Sequence, residues 1–300
     1  MADNRLPLTI LGGFLGAGKT TWLRHQLHHG LAAHVLVNEA AGLAVDDALL
    51  SDAKGMTVLA GGCACCDGRG ALVAALRGLA DRRSRGEEVA DLVLETSGLA
   101  DPAAIMAALT QDPVLVHHIR LVGTIVLVDG VGDLAALTPL ALAQMRAADR
   151  LVVTKTDAVL PETVARIAAT LRQINPLAEV SAAVAGQAVD LPAMVAEPFA
   201  VRIGAETPLR AMTFALPPNA DWPALSLWLS ALLHGHGEAI LRVKGVVRTP
   251  AGRLLIQTVR RSVQPPEVLP EGVGTTDVLA LIGLIGDPLL VTASLERFLG

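Results

Sequence analysis

A glycine-rich segment near the start of the chain is the first candidate for chemistry. Residues 13–20 read GFLGAGKT and fit the phosphate-loop pattern GxxxxGK[ST], with an apolar strand before the segment and a helical stretch after it. Its glycines allow successive backbone N–H groups to turn towards a phosphate, and the N-terminus of the helix adds a partial positive charge. The segment therefore predicts a binding site for a nucleoside triphosphate.

The polar residues of this loop have different expected tasks. Lys19 would reach the β- and γ-phosphates, and the hydroxyl group of Thr20 would hold Mg²⁺. The remaining contacts of this segment with the nucleotide are predicted to come from Gly13, Gly16, Ala17, Gly18 and Thr21.

A second candidate follows the apolar run Asp91–Leu94. Glu95 comes directly after this run and is the expected acidic residue of the second phosphate-loop motif, which contacts Mg²⁺ through water or orients the attacking water. Gly98 would offer its N–H to the γ-phosphate. Asp101 and Pro102 are typical of a helix N-terminus, a role that does not account for Glu95.

The segment that could recognise a base follows another apolar run and contains Thr154, Lys155 and Asp157. The Asp157 carboxylate can accept hydrogen bonds from N1–H and the 2-amino group of guanine, which adenine does not offer in that arrangement. Adenine would leave the carboxylate without a hydrogen-bond donor. Because an unpaired acceptor is unfavourable, such a site discriminates well between guanine and adenine. The sequence therefore predicts GTP rather than ATP as the nucleotide.

Three cysteines lie within four residues, at Cys63, Cys65 and Cys66, directly after two glycines. Cysteines this close together do not indicate a framework of disulfide bonds. Two or three of their thiolates could instead bind one soft or borderline cation. A site short of ligands suits metal transfer, because the incoming partner can supply the missing ones. Inert buried thiols and a redox dithiol are the alternative interpretations.

The elements that must position these residues follow an alternating pattern. From Leu8 to about Val184, short β-branched runs alternate with Ala- and Leu-rich stretches, which predicts a parallel sheet covered on both faces. In such sheets the ligand crevice lies at the carboxyl ends of the strands. Polar or glycine residues follow all the predicted strands, which are Leu8–Leu11, His34–Val37, Leu92–Leu94, Thr124–Val128 and Leu151–Val153.

The predicted fold class is α/β, with a P-loop NTPase domain of mostly parallel sheet and a smaller C-terminal α+β domain. The periodicity fades and prolines appear between Ala185 and Pro208, so we expect a domain over residues 1–185, a linker over 186–208 and a second domain over 209–300. The second domain is predicted to contain a strand, a helix, a hairpin, a strand and a last helix, at Arg210–Leu216, Trp222–Leu233, Ile240–Arg248 with Leu254–Val259, Val278–Leu284 and up to Phe298.

Composition excludes several other classes. The formal net charge is -5 and aromatic residues make up 2%, which argues against a nucleic-acid binder. Mean hydropathy is +0.51, yet the sequence has no uninterrupted apolar run of the ~20 residues that a membrane span needs. We therefore expect a cytoplasmic protein without a membrane partner.

Five ordered motifs and part of the C-terminal region resemble the CobW-type metallochaperone GTPases, relatives of the GTPases that insert nickel into hydrogenase and urease. The matching segments are residues 12–21, 37–39, 63–66, 95–102, 154–157 and 236–245. The resemblance implies a Mg²⁺-dependent GTPase whose Cys-x-Cys-Cys motif binds zinc, or cobalt in some members, and delivers it to a client metalloprotein. It also implies that Asp46, at an acidic position of the first switch region, helps Mg²⁺ or the catalytic water. The family usually has Asn where Thr154 stands.

The cysteines lie between the phosphate loop and Glu95, where phosphate-loop GTPases have nucleotide-sensitive segments. If the γ-phosphate orders that stretch, metal and nucleotide affinities must be coupled reciprocally. A homodimer is one expected assembly. A P-loop kinase for a small metabolite and a non-catalytic, nucleotide-gated binding module remain as alternative functions.

Overall fold

A computed structural model describes most of the chain, which divides into two compact units, Met1–Ile203 and Gly204–Gly300. The described residues are 4–38, 52–59, 68–134, 137–201, 209–217, 220–237, 239–249, 252–259, 261–269, 277–284 and 287–299.

The first unit is built on a sheet that has eight strands among the described residues, in the order β3-β2-β4-β1-β5-β6-β7-β8. Neighbouring strands run parallel from β3 to β7, and β8 pairs antiparallel with β7. The strands are β1 (Leu6–Gly13), β2 (Ala33–Val37), β3 (Gly55–Val58), β4 (Asp91–Glu95), β5 (Ile119–Asp129), β6 (Arg150–Thr154), β7 (Glu179–Val184) and β8 (Gln187–Val189).

Two of the described helices of this unit begin with a side-chain cap. The Asp101 carboxylate accepts a hydrogen bond from the Ala103 N–H, and the Thr138 hydroxyl accepts one from Ala141. The described helices are α1 (Lys19–His28), α2 (Arg69–Ser84), α3 (Pro102–Gln111), α4 (Leu115–His118), α5 (Pro139–Ala147) and α6 (Pro161–Ile174).

Apolar cores cover both faces of the sheet, as the sequence predicts. Successive residues of β5 point to opposite faces, so Leu127 packs with α1 residues such as Leu23, whereas Val126 and Val128 pack with α5 and α6 residues such as Leu171. All five predicted strands are confirmed within longer observed ones. The strands β3, β7 and β8 were not predicted from the sequence pattern.

In its described residues the second unit is an antiparallel sheet with two helices, and its predicted α+β class is confirmed. Strands are paired in the order β12-β11-β10-β14-β9, with β13 beside β11. Both helices contribute to one buried cluster around Trp228. The elements are β9 (Leu209–Ala215), α7 (Trp222–His236), β10 (Ile240–Thr249), β11 (Gly252–Val259), β12 (Ser262–Val263), β13 (Glu267–Val268), β14 (Val278–Leu284) and α8 (Pro288–Leu299).

Across the described residues of both units, every helix is too short or too polar to cross a bilayer.

Candidate nucleotide site

The phosphate loop connects the end of β1 at Gly13 to the start of α1 at Lys19. Gly16 and Gly18 have φ angles of +79° and +82°, a left-handed backbone that glycine adopts without strain. Gly13 also has a positive φ, of +138°, and a Cβ atom there would in addition lie 2.6 Å from the carbonyl oxygen of Leu127 on the neighbouring strand. The glycine spacing of the motif thus follows from local backbone geometry.

The side chain of Lys19 folds back over the loop that precedes it. Its Nζ donates to the carbonyl oxygen of Gly13 at 2.9 Å and lies 3.3 Å from that of Phe14. The ammonium group therefore lies at the loop that is predicted to hold the phosphates, and a phosphate oxygen could replace these carbonyl acceptors.

Thr20 and Glu95 come from distant parts of the sequence and meet beside the loop. The Thr20 hydroxyl donates to Oε1 of Glu95 at 2.6 Å, and Glu95 is buried, with 6% of its surface exposed. Parallel pairing of β1 with β4, in which Leu11 lies opposite Glu95, brings the two side chains together. A hydroxyl and a carboxylate are the hard oxygen donors that Mg²⁺ prefers, so the pair fits this ion.

Gly98 lies directly against the phosphate loop. It belongs to a turn in which the Ala100 N–H donates to the Ser97 carbonyl at 3.0 Å. A Cβ atom on Gly98 would lie 2.7 Å from the backbone nitrogen of Leu15, so only glycine fits at this approach. The structure thus brings Gly98, Thr20 and Glu95 to the same loop.

The segment predicted to recognise the base is tied to the phosphate loop by Thr154. Its hydroxyl oxygen lies 3.0 Å from the Ala17 carbonyl and 3.2 Å from that of Val128. Lys155 has a left-handed backbone with φ of +55°, and its Nζ forms a 2.6 Å ion pair with Asp129. Asp157 follows in a short 3-10 turn and is exposed to solvent.

Residues 7–182 match the family described as "CobW/HypB/UreG, nucleotide-binding domain". The chain belongs to this family. Residues 209–299 match a second description, "Cobalamin synthesis protein cobW C-terminal domain", so the second unit also has a counterpart among CobW proteins.

Individual CobW relatives carry names that refer to zinc. The zinc chaperone YjiA of Escherichia coli strain K12 is 40% identical over 175 residues, which are 55% of this chain and 55% of that protein. Zinc-regulated GTPase metalloprotein activator 1 of Schizosaccharomyces pombe is 29% identical over 198 residues, or 62% of this chain and 47% of that protein. The chain spans about half the length of these curated relatives.

The fold of both units also recurs in a solved CobW-type structure. The crystal structure of the Zn(II)-bound YjiA GTPase from E. coli has a TM-score of 0.67 at 26% identity, with 98% of this chain and 99% of that chain covered. A structure of a Zn(II)-bound triple mutant of YjiA GTPase gives a TM-score of 0.68 at 26% identity, covering 99% of this chain and all of that one.

Several predicted residues lie outside the part that the structure describes. These are Asp46 and the three cysteines, Cys63, Cys65 and Cys66. Among the described residues, no three His, Cys, Asp or Glu side chains form a group that could hold a metal ion. The predicted thiolate site therefore stays a prediction.

Two contacts beside the site were not predicted from the sequence. Asp129 is the last residue of β5 and forms an ion pair with Lys155. The position of Asp129 directly after an apolar run could have indicated this contact. The turn between β7 and β8 reaches α1, where Gln26 donates to the Gly186 carbonyl at 2.9 Å. Finding that turn would have required recognising β7 as a strand.

Proposed function

We propose that this protein is a GTP-hydrolysing metallochaperone that binds a divalent transition metal, zinc first and cobalt second, and delivers it to a client metalloprotein. The observation that carries the GTPase part is the hydrogen bond between Thr20 and buried Glu95 beside Lys19 and the phosphate loop. Family membership and the names of the relatives support the metal part.

In the proposed hydrolysis, water attacks the γ-phosphorus, the bond from that phosphorus to the β–γ bridging oxygen breaks, and GDP and inorganic phosphate leave. Lys19 leaves the loop carbonyls to neutralise the β- and γ-phosphates, and the Gly98 N–H donates to a γ-oxygen. Thr20 and Glu95 would hold Mg²⁺, which supplies further neutralisation of the phosphate charge. Glu95 or Asp46 orients the attacking water.

Guanine recognition is proposed for the exposed carboxylate of Asp157. Thr154 supports this role because its hydroxyl group lies within hydrogen-bonding distance of the Ala17 carbonyl in the phosphate loop. Thr154 therefore connects the proposed base-binding segment to the phosphate loop, although its side chain is shorter than the Asn that is usual in the family. Lys155, whose ammonium group is held by the ion pair with Asp129, is the remaining residue of the proposed base-binding segment.

Zinc is the proposed cargo, and Cys63, Cys65 and Cys66 are its proposed ligands. Thiolates suit Zn²⁺, and a site with three protein ligands leaves a position through which the ion can pass to another protein. The cytoplasmic location and assembly as a homodimer belong to the same proposal. Two domains are proposed as well, but the linker expected at 186–208 must be shorter, because β8 pairs within the first sheet and the first unit extends to Ile203.

Steady-state phosphate release tests the proposal. With Mg²⁺ present, we expect slow release from GTP, little from ATP, and a change in rate when Zn²⁺ is added. Glu95→Gln should lower kcat by about 100-fold or more, whereas Glu88→Gln, which changes an exposed carboxylate, should not. Preference for ATP with a required acceptor would indicate a kinase. No release from either nucleotide would indicate a binding module.

The cargo site is tested by replacing all three cysteines with serine. We expect tight zinc binding to be lost and GTP binding to be kept, because the phosphate loop and Glu95 are unchanged. The matched control replaces the exposed His117 and His118 with Gln and should retain zinc. Stoichiometric zinc in the serine variant would contradict the proposed ligands.

A further inference from the structure

Gln144 is a buried polar side chain on a mostly apolar face of α5. It is 1% exposed, with buried Leu142 and Met145 on the same helix. Burying an amide in such surroundings is unfavourable unless hydrogen bonds compensate for the lost water. The side chain has these bonds, because its Nε2 donates to the Gly98 carbonyl at 3.1 Å and to the Ala100 carbonyl at 2.8 Å.

Both acceptors belong to the turn that carries the predicted γ-phosphate donor. The turn is fixed at its start, where the Thr96 N–H and hydroxyl both donate to the Leu11 carbonyl of β1, at 2.9 Å and 3.1 Å. On one side Gly98 packs against Leu15 of the phosphate loop. Gln144 binds the turn from α5, so the turn is linked to both the phosphate loop and that helix.

This anchor matters because the donor residue is a glycine. Glycine has more backbone freedom than any other residue, so an unrestrained turn would present the Gly98 N–H in many directions. A donor contributes most to binding and catalysis when its orientation is fixed before the charge arrives. The two hydrogen bonds from one amide fix the carbonyls that flank Leu99 and so restrict the turn.

We infer that Gln144 is a positioning residue that holds the Gly98 N–H for the γ-phosphate and thereby sets how strongly the protein prefers GTP to GDP. The inference rests on the proposed GTPase function. GDP lacks the γ-phosphate and makes no contact that needs the turn. Its binding therefore depends on Lys19 and the phosphate loop and not on Gln144.

The test compares Gln144→Met, which keeps the length of the side chain but cannot donate, with the wild type. We expect the Kd for GDP to stay within about 2-fold, because GDP does not reach the turn. The Kd for a non-hydrolysable GTP analogue should rise about 5- to 30-fold, as expected for the loss of one or two hydrogen bonds. kcat for GTP should fall by a similar factor.

Gln111→Met is the matched control, because Gln111 is an exposed residue at the end of α3. It should leave both Kd values and kcat unchanged. Gln144→Asn, whose amide is one methylene shorter, provides a second variant that keeps a polar group if the methionine variant does not fold. In the wild type, hydrogen exchange of the Gly98 amide should slow when the GTP analogue replaces GDP, because this N–H then donates to a γ-oxygen.

The outcomes separate the inference from the proposed function. Equal losses of GDP and GTP-analogue affinity would show a purely structural role and overturn the inference. A wild type that hydrolyses GTP, beside Gln144 variants with an unchanged ratio of GTP to GDP affinity, would also overturn it and leave the GTPase proposal standing. A wild type that neither prefers nor hydrolyses GTP would overturn both.

Discussion

The two sheets of the molecule use their charged residues differently. In the first unit, Glu95 and Lys155 lie at or just after the carboxyl ends of β4 and β6, close to the phosphate loop. In the second unit, Asp277 precedes β14 and pairs with Arg248 at 3.3 Å and with Arg253 at 3.5 Å. Both sets contain ion pairs, since Lys155 pairs with Asp129, but the first set lies beside the phosphate loop that we propose binds the nucleotide, whereas the second set pairs within the sheet.

Strand direction explains this difference. Parallel strands all end at the same edge, so residues far apart in sequence gather there and form a crevice. In an antiparallel sheet, neighbouring strands end at opposite edges, and their terminal residues are dispersed. We therefore assign the chemistry to the first sheet and a packing role to the described part of the second.

The strongest test of this comparison replaces a large buried side chain in the core of the second unit. Trp228 is 1% exposed, and its Nε1 donates to the Ser294 hydroxyl at 3.1 Å. Trp228→Ala should destabilise that unit by about 3–5 kcal/mol, because it leaves a large cavity. Denaturant unfolding measures this loss, with the exposed Leu227→Ala on the same helix as a nearly neutral control. Loss of GTP affinity before the unit unfolds would contradict the division of roles.

The next test removes the main cation of the phosphate loop. Lys19→Ala should lower kcat/KM for GTP by at least about 100-fold, because the phosphates lose a preorganised positive charge. The melting temperature of the nucleotide-free protein should change little. Lys54→Ala, an exposed lysine on the same unit, is the control for net charge. Undiminished hydrolysis by the Lys19 variant would remove the phosphate-loop assignment.

A third test concerns the base-binding side of the same sheet. In Asp157→Asn, one acceptor for guanine becomes a donor, so GTP affinity should fall about 10- to 100-fold. Affinity for xanthosine triphosphate should rise, because its 2-oxo group accepts a hydrogen bond from the new amide. Competition binding measures both, with the exposed Glu162→Gln as control. An unchanged preference for guanine would place base recognition elsewhere.

The smallest expected effect comes from His34, a buried residue of β2 with Nε2 2.9 Å from the Thr57 hydroxyl oxygen. Burial lowers the pKa of His34 below its ordinary value of 6.5, and the positive charge of Arg82 adds to the effect. The unfolded chain therefore takes up a proton below pH 6.5 that the folded chain does not. Stability is full above this pH and is lost as the pH falls towards the lowered pKa.

Thermal unfolding between pH 7.5 and pH 5.5 checks the contribution of His34. Each kcal/mol of lost stability corresponds to about 2–4 °C in Tm for a unit of this size. The decrease should be smaller in His34→Gln than in the wild type, and His117→Gln should behave as the wild type. If Tm depended on pH equally in all three proteins, the pKa of His34 would be the same in the folded and unfolded states.

Site residues could be proposed from the sequence where they belong to a recognisable motif or follow an apolar strand, as Glu95 and Thr154 do. The phosphate loop is one uninterrupted segment with a fixed glycine spacing, and the five predicted strands are β-branched runs with polar residues after them. The edge strand β3 was missed because it has only four residues, begins with glycine and contains no buried residue. The strand β8 was not predicted because it has only three residues, all of them exposed.

Contacts between distant residues could not be predicted in the same way. Thr154 contacts a carbonyl 137 residues away, and Gln144 contacts one 46 residues away. Every residue has a backbone carbonyl, so an acceptor of this kind leaves no sign in the amino-acid sequence. Only the folded chain shows that Gln144 binds the turn beside the phosphate loop.

In the proposed function, the nucleotide state controls how tightly the protein holds zinc. Zinc titrations of the wild type with a non-hydrolysable GTP analogue, with GDP and without nucleotide test it directly, and the cysteine-to-serine variant identifies the site. We expect the zinc Kd to differ about 5- to 150-fold between the GTP-analogue and GDP states, the usual range of coupling between two sites. Zinc Kd values that agree within about 2-fold in all three states would contradict the claim.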